Sequence, residues 1–192
     1  IIKNLSKLIE NDVLNGLNQD NLDIYFFETI DSTNAFARKT QLKKPFLIVL
    51  SEQQTAGKGR YGKSWYSPES GNIYLSIKYQ VKSMVPSLSL IVGLFVAEAL
   101  DEASGQKINA QLKWPNDVLL KKKKICGILI ESEIEQENIE LTIGIGVNYS
   151  IPKKESWWGD IGKLADILPR EKLINTIPDS YTHLTLPTTR YV

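Results

Sequence analysis

The sequence predicts a mixed β-sheet flanked by α-helices, an α/β (α+β) arrangement in one domain. Predicted strands have helices before, between and after them, and several strands are joined by hairpins, which disfavours a regular βαβ repeat. The chain has 192 residues, a length that fits a single domain with a buried core, and the sequence contains no internal repeat.

The elements of the first half follow from apolar spacing and capping residues. Apolar side chains three and four apart over 3–17 predict an amphipathic helix. Ile24–Phe27 predicts a short aromatic strand, and Asp31–Asn34 then supplies candidate caps for a helix over 35–39. Phe46–Leu50 is a nearly continuous apolar run, which predicts a buried strand.

The second half begins after a long polar loop at 51–72. Alternation over Ile73–Tyr79 predicts a strand, and the apolar segment Leu88–Ala99 predicts a mostly buried helix. The remaining predicted elements are strands at Ala110–Trp114, Val118–Leu120, Ile125–Glu133 and Ile139–Val147, a hairpin link at Glu135–Asn138, and a helix at Arg170–Ile177.

Composition excludes several classes of function. Lys and Arg number 23 against 22 Asp and Glu, so no bulk charge attracts nucleic acid or an anionic membrane, and no apolar run reaches the length of a membrane span. The single Cys126 excludes a disulfide framework and indicates a reducing compartment, for which we expect the cytoplasm. The single His183 lies in a terminal segment that we expect to be non-native, which excludes catalytic triads and histidine-based metal sites.

The two ends of the sequence differ from its middle. We expect 1–21 to be an N-terminal helical segment and 22–179 to be the main domain. The chain begins at Ile1 rather than Met, so we expect upstream residues to be missing or removed. The Thr-rich run at 180–192 has neither helical nor strand periodicity, and we interpret it as non-native sequence read through from an adapter.

A glycine-rich basic loop, Gly57–Lys63, is the strongest local signal for ligand binding. Its glycines let the backbone approach a ligand with N–H groups turned inward, and the interleaved cations neutralise a phosphate or a carboxylate. The spacing matches neither the Walker loop nor the dinucleotide fingerprint. A solvated surface loop explains the pattern about as well, so the loop alone leaves both interpretations open.

Four further segments are candidates for the same site, and each has a structural alternative. Asp31–Asn34 can cap a helix or present N–H groups and hydroxyls to a ligand. Lys113–Asp117 brings a cation, an amide and a carboxylate to a strand end, although turn chemistry alone favours a plain turn. Lys121–Lys124 is predicted as a turn with three of its lysines solvated, and Gly144–Asn148 as a site of close backbone packing or an amide at a strand end.

Taken in order along the chain, these segments resemble the biotin protein ligases. The resemblance also includes Glu52–Trp65, Lys124–Glu131 and Leu164–Asp166, and it covers about residues 22–178. It implies that 22–179 is a catalytic domain with the fold shared by lipoate ligases and similar to class II aminoacyl-tRNA synthetases. The loop departs from the pattern at Lys58 and Tyr61, where many relatives carry arginines; lysine keeps the charge but gives up bidentate geometry.

The resemblance implies a set of site residues. Contacts to the ureido ring of biotin are assigned to Ser32, Thr33, Asn34 and Gln54. Contacts to the biotin carboxylate and the adenylate phosphate are assigned to Lys58, Gly59, Arg60 and Lys124. Contacts on the nucleotide side are assigned to Trp65, Asn116 and Asn148, and Gly127 is assigned to ligand binding. The catalytic groups are assigned as Arg60, Lys113, Asp117 and Lys124, and no residue is assigned to a metal.

The reaction implied by the resemblance has two steps. The biotin carboxylate attacks the α-phosphorus of ATP, with Mg²⁺ on the phosphates, and forms biotinyl-5′-AMP. A lysine of the biotin carboxyl carrier protein of a biotin-dependent carboxylase, such as acetyl-CoA carboxylase, then attacks the carbonyl. Asp117 is the candidate acceptor of the amine proton, and the loop 56–65 would close over the adenylate. We expect no membrane partner and no nucleic acid bound by this domain, and a homodimer is left open.

The resemblance also bears on neighbouring domains, and rival functions stand beside it. We expect the chain to lack the small C-terminal SH3-like β domain of the family, which helps to engage ATP and the carrier protein, and an N-terminal winged helix-turn-helix before Ile1 is left open. The nearest rival is a lipoate or octanoate ligase of the same fold, which would need an apolar tunnel. The more distant rivals are a nucleic-acid-binding module and an inactive biotin-binding fold.

Overall fold

The computed structural model describes residues 12–13, 19–69, 71–135, 138–152, 155–166 and 168–185. Its strands are β1 (Leu22–Ile30), β2 (Phe46–Gln54), β3 (Ile73–Val81), β4 (Gln111–Lys113), β5 (Asp117–Leu120), β6 (Lys123–Glu135) and β7 (Asn138–Val147). Its longer helices are α1 (Thr33–Lys39), α2 (Leu88–Ser104) and α3 (Arg170–Thr185).

The strands form one seven-stranded mixed sheet in the order β1-β2-β3-β7-β6-β5-β4. The β1–β2 pair is parallel, and every other neighbouring pair is antiparallel. The predicted fold class, a mixed sheet flanked by helices, is therefore confirmed.

The two faces of the sheet are covered by different helices. Alternate residues of β2 point to opposite faces: Ile48 and Leu50 enter the large core with α2 and α3, whereas Leu47 and Val49 pack with Ala37 of α1. Burial on both faces explains why β2 is a continuous apolar run in the sequence.

A buried ion pair fixes α1 to the sheet. Lys78 Nζ on β3 lies 2.6 Å from Glu140 Oε2 on β7, and both side chains are almost fully buried. The same ammonium donates hydrogen bonds to the carbonyl oxygens of Arg38 and Thr40 at the C-terminus of α1. The N-terminus of that helix, which carries several predicted site residues, is held in place by this anchor at its other end.

The structure changes several predicted boundaries. The lysine run is predicted as one turn, but only Lys121 and Lys122 form it, with φ of 51° and 62°, and Lys123 already belongs to β6. A two-residue hairpin turn with positive φ at both positions matches the strand twist, which explains why the turn is so short. The helix predicted to end at Ile177 continues to Thr185.

Other predictions fall partly or wholly outside the described residues. Of the helix predicted at 3–17, the structure describes only Asp12 and Val13, which are helical. Glu135 pairs with Asn138 across the hairpin link, as expected. Of the segment 180–192, helical backbone is described as far as Thr185. No helix in the described part of the chain is long and apolar enough to cross a membrane.

Candidate ligand-binding and catalytic site

A cavity of about 430 Å³ collects the residues that the sequence assigned to the site. Its wall is built from the N-terminus of α1, the end of β2, the glycine-rich loop, the turn between β4 and β5, and facing parts of β6 and β7. The assigned residues on this wall are Ser32, Thr33, Asn34, Gln54, Lys58, Gly59, Arg60, Trp65, Lys113, Asn116, Asp117, Lys124, Gly127 and Asn148. The volume is typical of a small-molecule site.

One end of the cavity is uncharged and rich in hydrogen-bonding groups. Ser32 caps α1 by accepting a hydrogen bond from the Ala35 N–H at 3.3 Å, which confirms the predicted cap. The backbone N–H and hydroxyl of Thr33 donate to Gln54 Oε1, at 2.9 and 3.1 Å. Gln54 Nε2 donates to Ser67 Oγ at 3.0 Å. These bonds fix the orientation of the Gln54 amide, whose second N–H is left for a ligand.

Asn34 is anchored by residues that the sequence analysis missed. Ser76 Oγ on β3 donates to Asn34 Oδ1 at 2.5 Å, and Asn34 Nδ2 donates to Glu131 Oε2 at 3.0 Å. Glu131 is in turn paired with Arg38, whose pKa is raised mainly by its hydrogen bond to Glu133. A methyl group on Gly144 would collide with the Asn34 amide, so a glycine is required beneath it. The Asn34 side chain is therefore rigidly held at the cavity wall.

The glycine-rich loop is folded on itself. The Gly59 N–H donates to the Lys63 carbonyl at 2.6 Å, and the Trp65 N–H donates to the Gly57 carbonyl at 2.8 Å. A Cβ atom on Gly57 would lie 2.6 Å from both Ser67 Oγ and the Trp65 carbonyl oxygen, so this position requires glycine. Residues 51–54 of the long loop predicted at 51–72 belong to β2, and the glycine-rich part that follows β2 is a closed hairpin-like structure.

The charged end of the cavity is strongly cationic. Its described wall contains the side chains of five cations and one carboxylate: Lys58, Arg60, Lys63, Lys113, Lys124 and Asp117. Lys124 Nζ lies 2.6 Å from Asp117 Oδ1, and both side chains are largely buried. This ion pair distinguishes Lys124 from the other lysines of its run and orients its ammonium into the cavity.

Trp65 lies on a floor made by two glycines. Gly127 of β6 and Gly146 of β7 are direct cross-strand partners. A Cβ atom on Gly127 would lie 2.7 Å from the Trp65 ring, and one on Gly146 would lie 2.6 Å from it. Lys124 Nζ lies 5.0 Å from the centre of the same ring, within cation–π distance. The Trp65 indole N–H is buried and has no hydrogen-bond partner among the described residues.

The two asparagines assigned as nucleotide contacts also support the backbone. Asn116 Nδ2 donates to the Ile128 carbonyl at 2.7 Å, and Asn148 Nδ2 donates to the Gly159 carbonyl at 3.0 Å. These bonds fix the turn between β4 and β5 and the segment after β7. The amide nitrogens are therefore engaged in structural bonds at the cavity wall.

An aromatic wall formed by Trp157 and Trp158 was missed by the sequence analysis. Trp158 stacks on Tyr66 with ring centres 5.8 Å apart, and both rings line the cavity. The segment is held against β6 because the Lys124 N–H donates to the Trp157 carbonyl at 3.0 Å. Two adjacent tryptophans in a polar segment were the signal available in the sequence.

Two buried acids near the site are held in their neutral forms. Burial raises the pKa of the Cys126 thiol to about 12, so the side chain is an inert part of the core. Burial also raises the pKa of Tyr74, whose hydroxyl donates to the Pro68 carbonyl at 2.9 Å. Among the described residues, no group of three or more His, Cys, Asp or Glu side chains could hold a metal ion.

Comparisons with a family model and with known proteins point to the same family. Residues 26–148 match the model of the biotin/lipoate A/B protein ligase family. The chain is 30% identical over 156 residues to the bifunctional ligase/repressor BirA of Bacillus subtilis, covering 77% of this chain and 47% of that protein. It is 39% identical over 126 residues to the biotin–[acetyl-CoA-carboxylase] ligase of Paracoccus denitrificans, covering 62% of this chain and 51% of that protein. The chain thus spans about half the length of these relatives.

Solved structures share the same fold. The biotin protein ligase of Leishmania major in complex with biotinyl-5-AMP aligns with a TM-score of 0.73 and 28% identity, over 85% of this chain and 74% of that chain. The biotin protein ligase of Aquifex aeolicus in complex with biotin and ATP aligns with a TM-score of 0.64 and 26% identity, over 85% of this chain and 72% of that chain. The mixed sheet with its flanking helices is therefore the catalytic fold of that family.

Proposed function

The chain belongs to the biotin/lipoate A/B protein ligase family, and we propose that it is the catalytic domain of a biotin protein ligase. In this proposal it activates biotin with ATP and transfers the biotinyl group to a lysine of the biotin carboxyl carrier protein of a biotin-dependent carboxylase. One observation carries the proposal: a single cavity joins an uncharged hydrogen-bonding end to a cationic end that holds a buried Lys124–Asp117 pair.

The uncharged end suits the ureido ring of biotin. The free N–H of Gln54 and the hydroxyl of Ser32 can donate to the ureido oxygen. Both donors are neutral, as the ureido ring is, so no buried charge is left without a partner. The dithiolane ring of lipoate carries no hydrogen-bonding N–H or C=O group. Each buried polar group left unsatisfied by it would cost about 1–3 kcal/mol, which favours biotin over lipoate.

The cationic end suits the activation step. A carboxylate and a triphosphate repel one another, and cations must neutralise both before the carboxylate oxygen can approach the α-phosphorus. We assign this role to Arg60, Lys113 and Lys124, with Lys58 and Gly59 placed at the carboxylate. Mg²⁺ would enter bound to the phosphates of ATP and further neutralise their charge, since phosphate and water oxygens are its usual ligands at nucleotide sites.

The transfer step needs a group that receives the acceptor lysine. Asp117 is the only carboxylate among the described residues of the cavity wall. We assign to it the attraction and orientation of the incoming ammonium, and the acceptance of its proton as the amine attacks the carbonyl. Trp65 and the closed glycine-rich loop beside the adenylate would limit the access of water to the mixed anhydride.

The whole activity is tested by acceptor labelling. The purified chain is incubated with biotin, ATP, Mg²⁺ and an isolated carrier domain, and the mass of the domain is measured. The proposal predicts addition of one biotinyl group to the acceptor lysine and none to a carrier in which that lysine is replaced by arginine. Modification with lipoate in place of biotin would assign the chain to the other branch of the family.

We propose a cytoplasmic location, supported by the single reduced cysteine, Cys126, in the buried core. Near-zero net charge supports the absence of a nucleic-acid partner for this domain.

A further inference from the structure

The turn between β4 and β5 presents an exposed tryptophan on a rigid support. Trp114 is 76% exposed, the most exposed tryptophan among the described residues. The turn is braced on one side because Ser89 Oγ at the start of α2 donates to the Pro115 carbonyl at 2.7 Å. On the other side, Asn116 and Ile128 of β6 exchange two hydrogen bonds, at 2.7 and 3.0 Å. The indole is therefore exposed because the backbone holds it outward, not because the turn is unsupported.

The position of Trp114 places it at the rim of the cavity. The residues on both sides of it in sequence, Lys113 and Pro115, line the cavity wall, and Trp114 itself does not. Asp117, three residues further on, carries the carboxylate proposed to receive the acceptor lysine. The exposed Trp114 is thus flanked by cavity-lining residues on the turn that leads to Asp117.

The surroundings of this rim are cationic. Lys58, Lys63 and Lys113 line the cavity and are exposed, whereas the one carboxylate of the described wall, Asp117, is paired with Lys124. A protein surface approaching this rim meets more cations than carboxylates, and this excess of positive charge favours an acidic partner. An exposed, rigidly presented tryptophan inside such a field has the character of an interface anchor, because tryptophan is enriched among the residues that dominate binding between proteins.

We propose that Trp114 is the docking anchor for the carrier protein in the transfer step. The occupant is a small acidic domain that presents its acceptor lysine on a tight turn, so that the lysine enters the cavity while the flanking surface of the domain covers the indole. This inference rests on the proposed ligase function. It goes further by assigning carrier recognition to a residue outside the ligand cavity.

The test separates carrier recognition from chemistry. The variants Trp114→Ala and Trp114→Phe are compared with wild type in adenylate formation, in transfer to a small amine such as Nα-acetyl-lysine amide, and in transfer to the carrier domain. Trp114→Ala is expected to raise the KM for the carrier by at least about tenfold. Adenylate formation and small-amine transfer are expected to stay within about twofold of wild type. Trp114→Phe, which keeps an aromatic ring, is expected to recover much of the loss.

Ile134→Ala provides the matched control. Ile134 is 82% exposed on β6 and does not line the cavity, so its truncation is expected to leave the carrier KM unchanged. Direct binding is measured with chemically prepared biotinyl-5′-AMP and a carrier whose acceptor lysine is replaced by arginine. This binding experiment does not depend on turnover, so a protein that makes no adenylate refutes the ligase proposal without obscuring the docking result.

Three outcomes would overturn the inference. The first is an unchanged carrier affinity for Trp114→Ala. The second is an equal loss with the small amine, which would assign the residue to the chemistry. The third is evidence for a different occupant. A sedimentation coefficient that differs between Trp114→Ala and wild type would indicate a second copy of the chain. Weaker binding of a single-stranded oligonucleotide by Trp114→Ala than by wild type would indicate nucleic acid.

Discussion

Replacing Gly146 by alanine tests the packing of Trp65 against the sheet. The new Cβ would lie 2.6 Å from the Cε2 and Nε1 atoms of Trp65, whereas comfortable contacts between carbon atoms begin at about 3.5 Å. The ring would therefore have to move by roughly 1 Å. It already rests on Gly127 and lies beside Lys124, so it has little room to adjust. We expect the free energy of unfolding to fall by about 1–3 kcal/mol, the usual cost of overpacking.

A double-mutant cycle isolates this contact. Urea unfolding is measured for wild type, Gly146→Ala, Trp65→Ala and the double variant. The cost of Gly146→Ala is expected to be largely absent in the Trp65→Ala background, giving a coupling free energy of about 1–2 kcal/mol. Gly62→Ala is the matched control: it has a φ of 73° but open space around its Cβ position, so its cost should be independent of Trp65. An equal cost of Gly146→Ala in both backgrounds would refute the packing argument.

The remaining predictions concern the activation step and the core. Lys124→Ala should lower the rate of adenylate formation by at least about a hundredfold, because the carboxylate and phosphate lose a buried cation. Lys122→Ala, in the same lysine run, should change this rate by no more than about twofold. Equal effects of the two substitutions would count against the role of Lys124. Ser67→Ala should raise the KM for biotin by about tenfold and leave the KM for ATP unchanged, because Gln54 loses the partner of its Nε2. An equal rise in the KM for ATP would indicate a general loss of structure instead. Because the folded-state pKa of Cys126 is raised from 9.0 to about 12, the stabilisation from its buried thiol is present below pH 9 and is lost as pH rises toward 12. The unfolding free energy should fall with pH across that window, less steeply in Cys126→Ala, and identical slopes for the two proteins would contradict the assignment.

Much of the fold could be predicted from local sequence patterns. The apolar run of β2 and the cap at Ser32 reflect burial and hydrogen bonding within a few residues, which single segments encode. The pairing partners of each strand could not be predicted in the same way. The pairing of β3 with β7 joins Ile73 to Val147, and nothing in either segment alone specifies the other. Boundaries shifted where pairing extended a strand, as at Lys123, which pairs with Leu120.

The candidate site could be predicted because its motifs are short and follow one another in a set order along the chain. The residues that support these motifs could not be predicted, because they act over long sequence separations. Ser76 reaches Asn34 of α1 from β3, and Glu131 reaches it from β6, which lies two strands from β3 in the sheet. Such partners carry no signature of their own in the sequence. The same limit applies to the aromatic wall at Trp157 and Trp158, which joins the site only because its backbone pairs with β6.

Adenylate formation tests the central claim most directly. The purified chain is incubated with Mg²⁺, α-labelled ATP and either biotin or lipoate, and the labelled products are separated. We expect labelled biotinyl-5′-AMP and release of pyrophosphate with biotin, because the polar end of the cavity matches a ureido ring and the cationic end matches the reacting anions. An absence of product with biotin, together with an adenylate formed from lipoate, would contradict it.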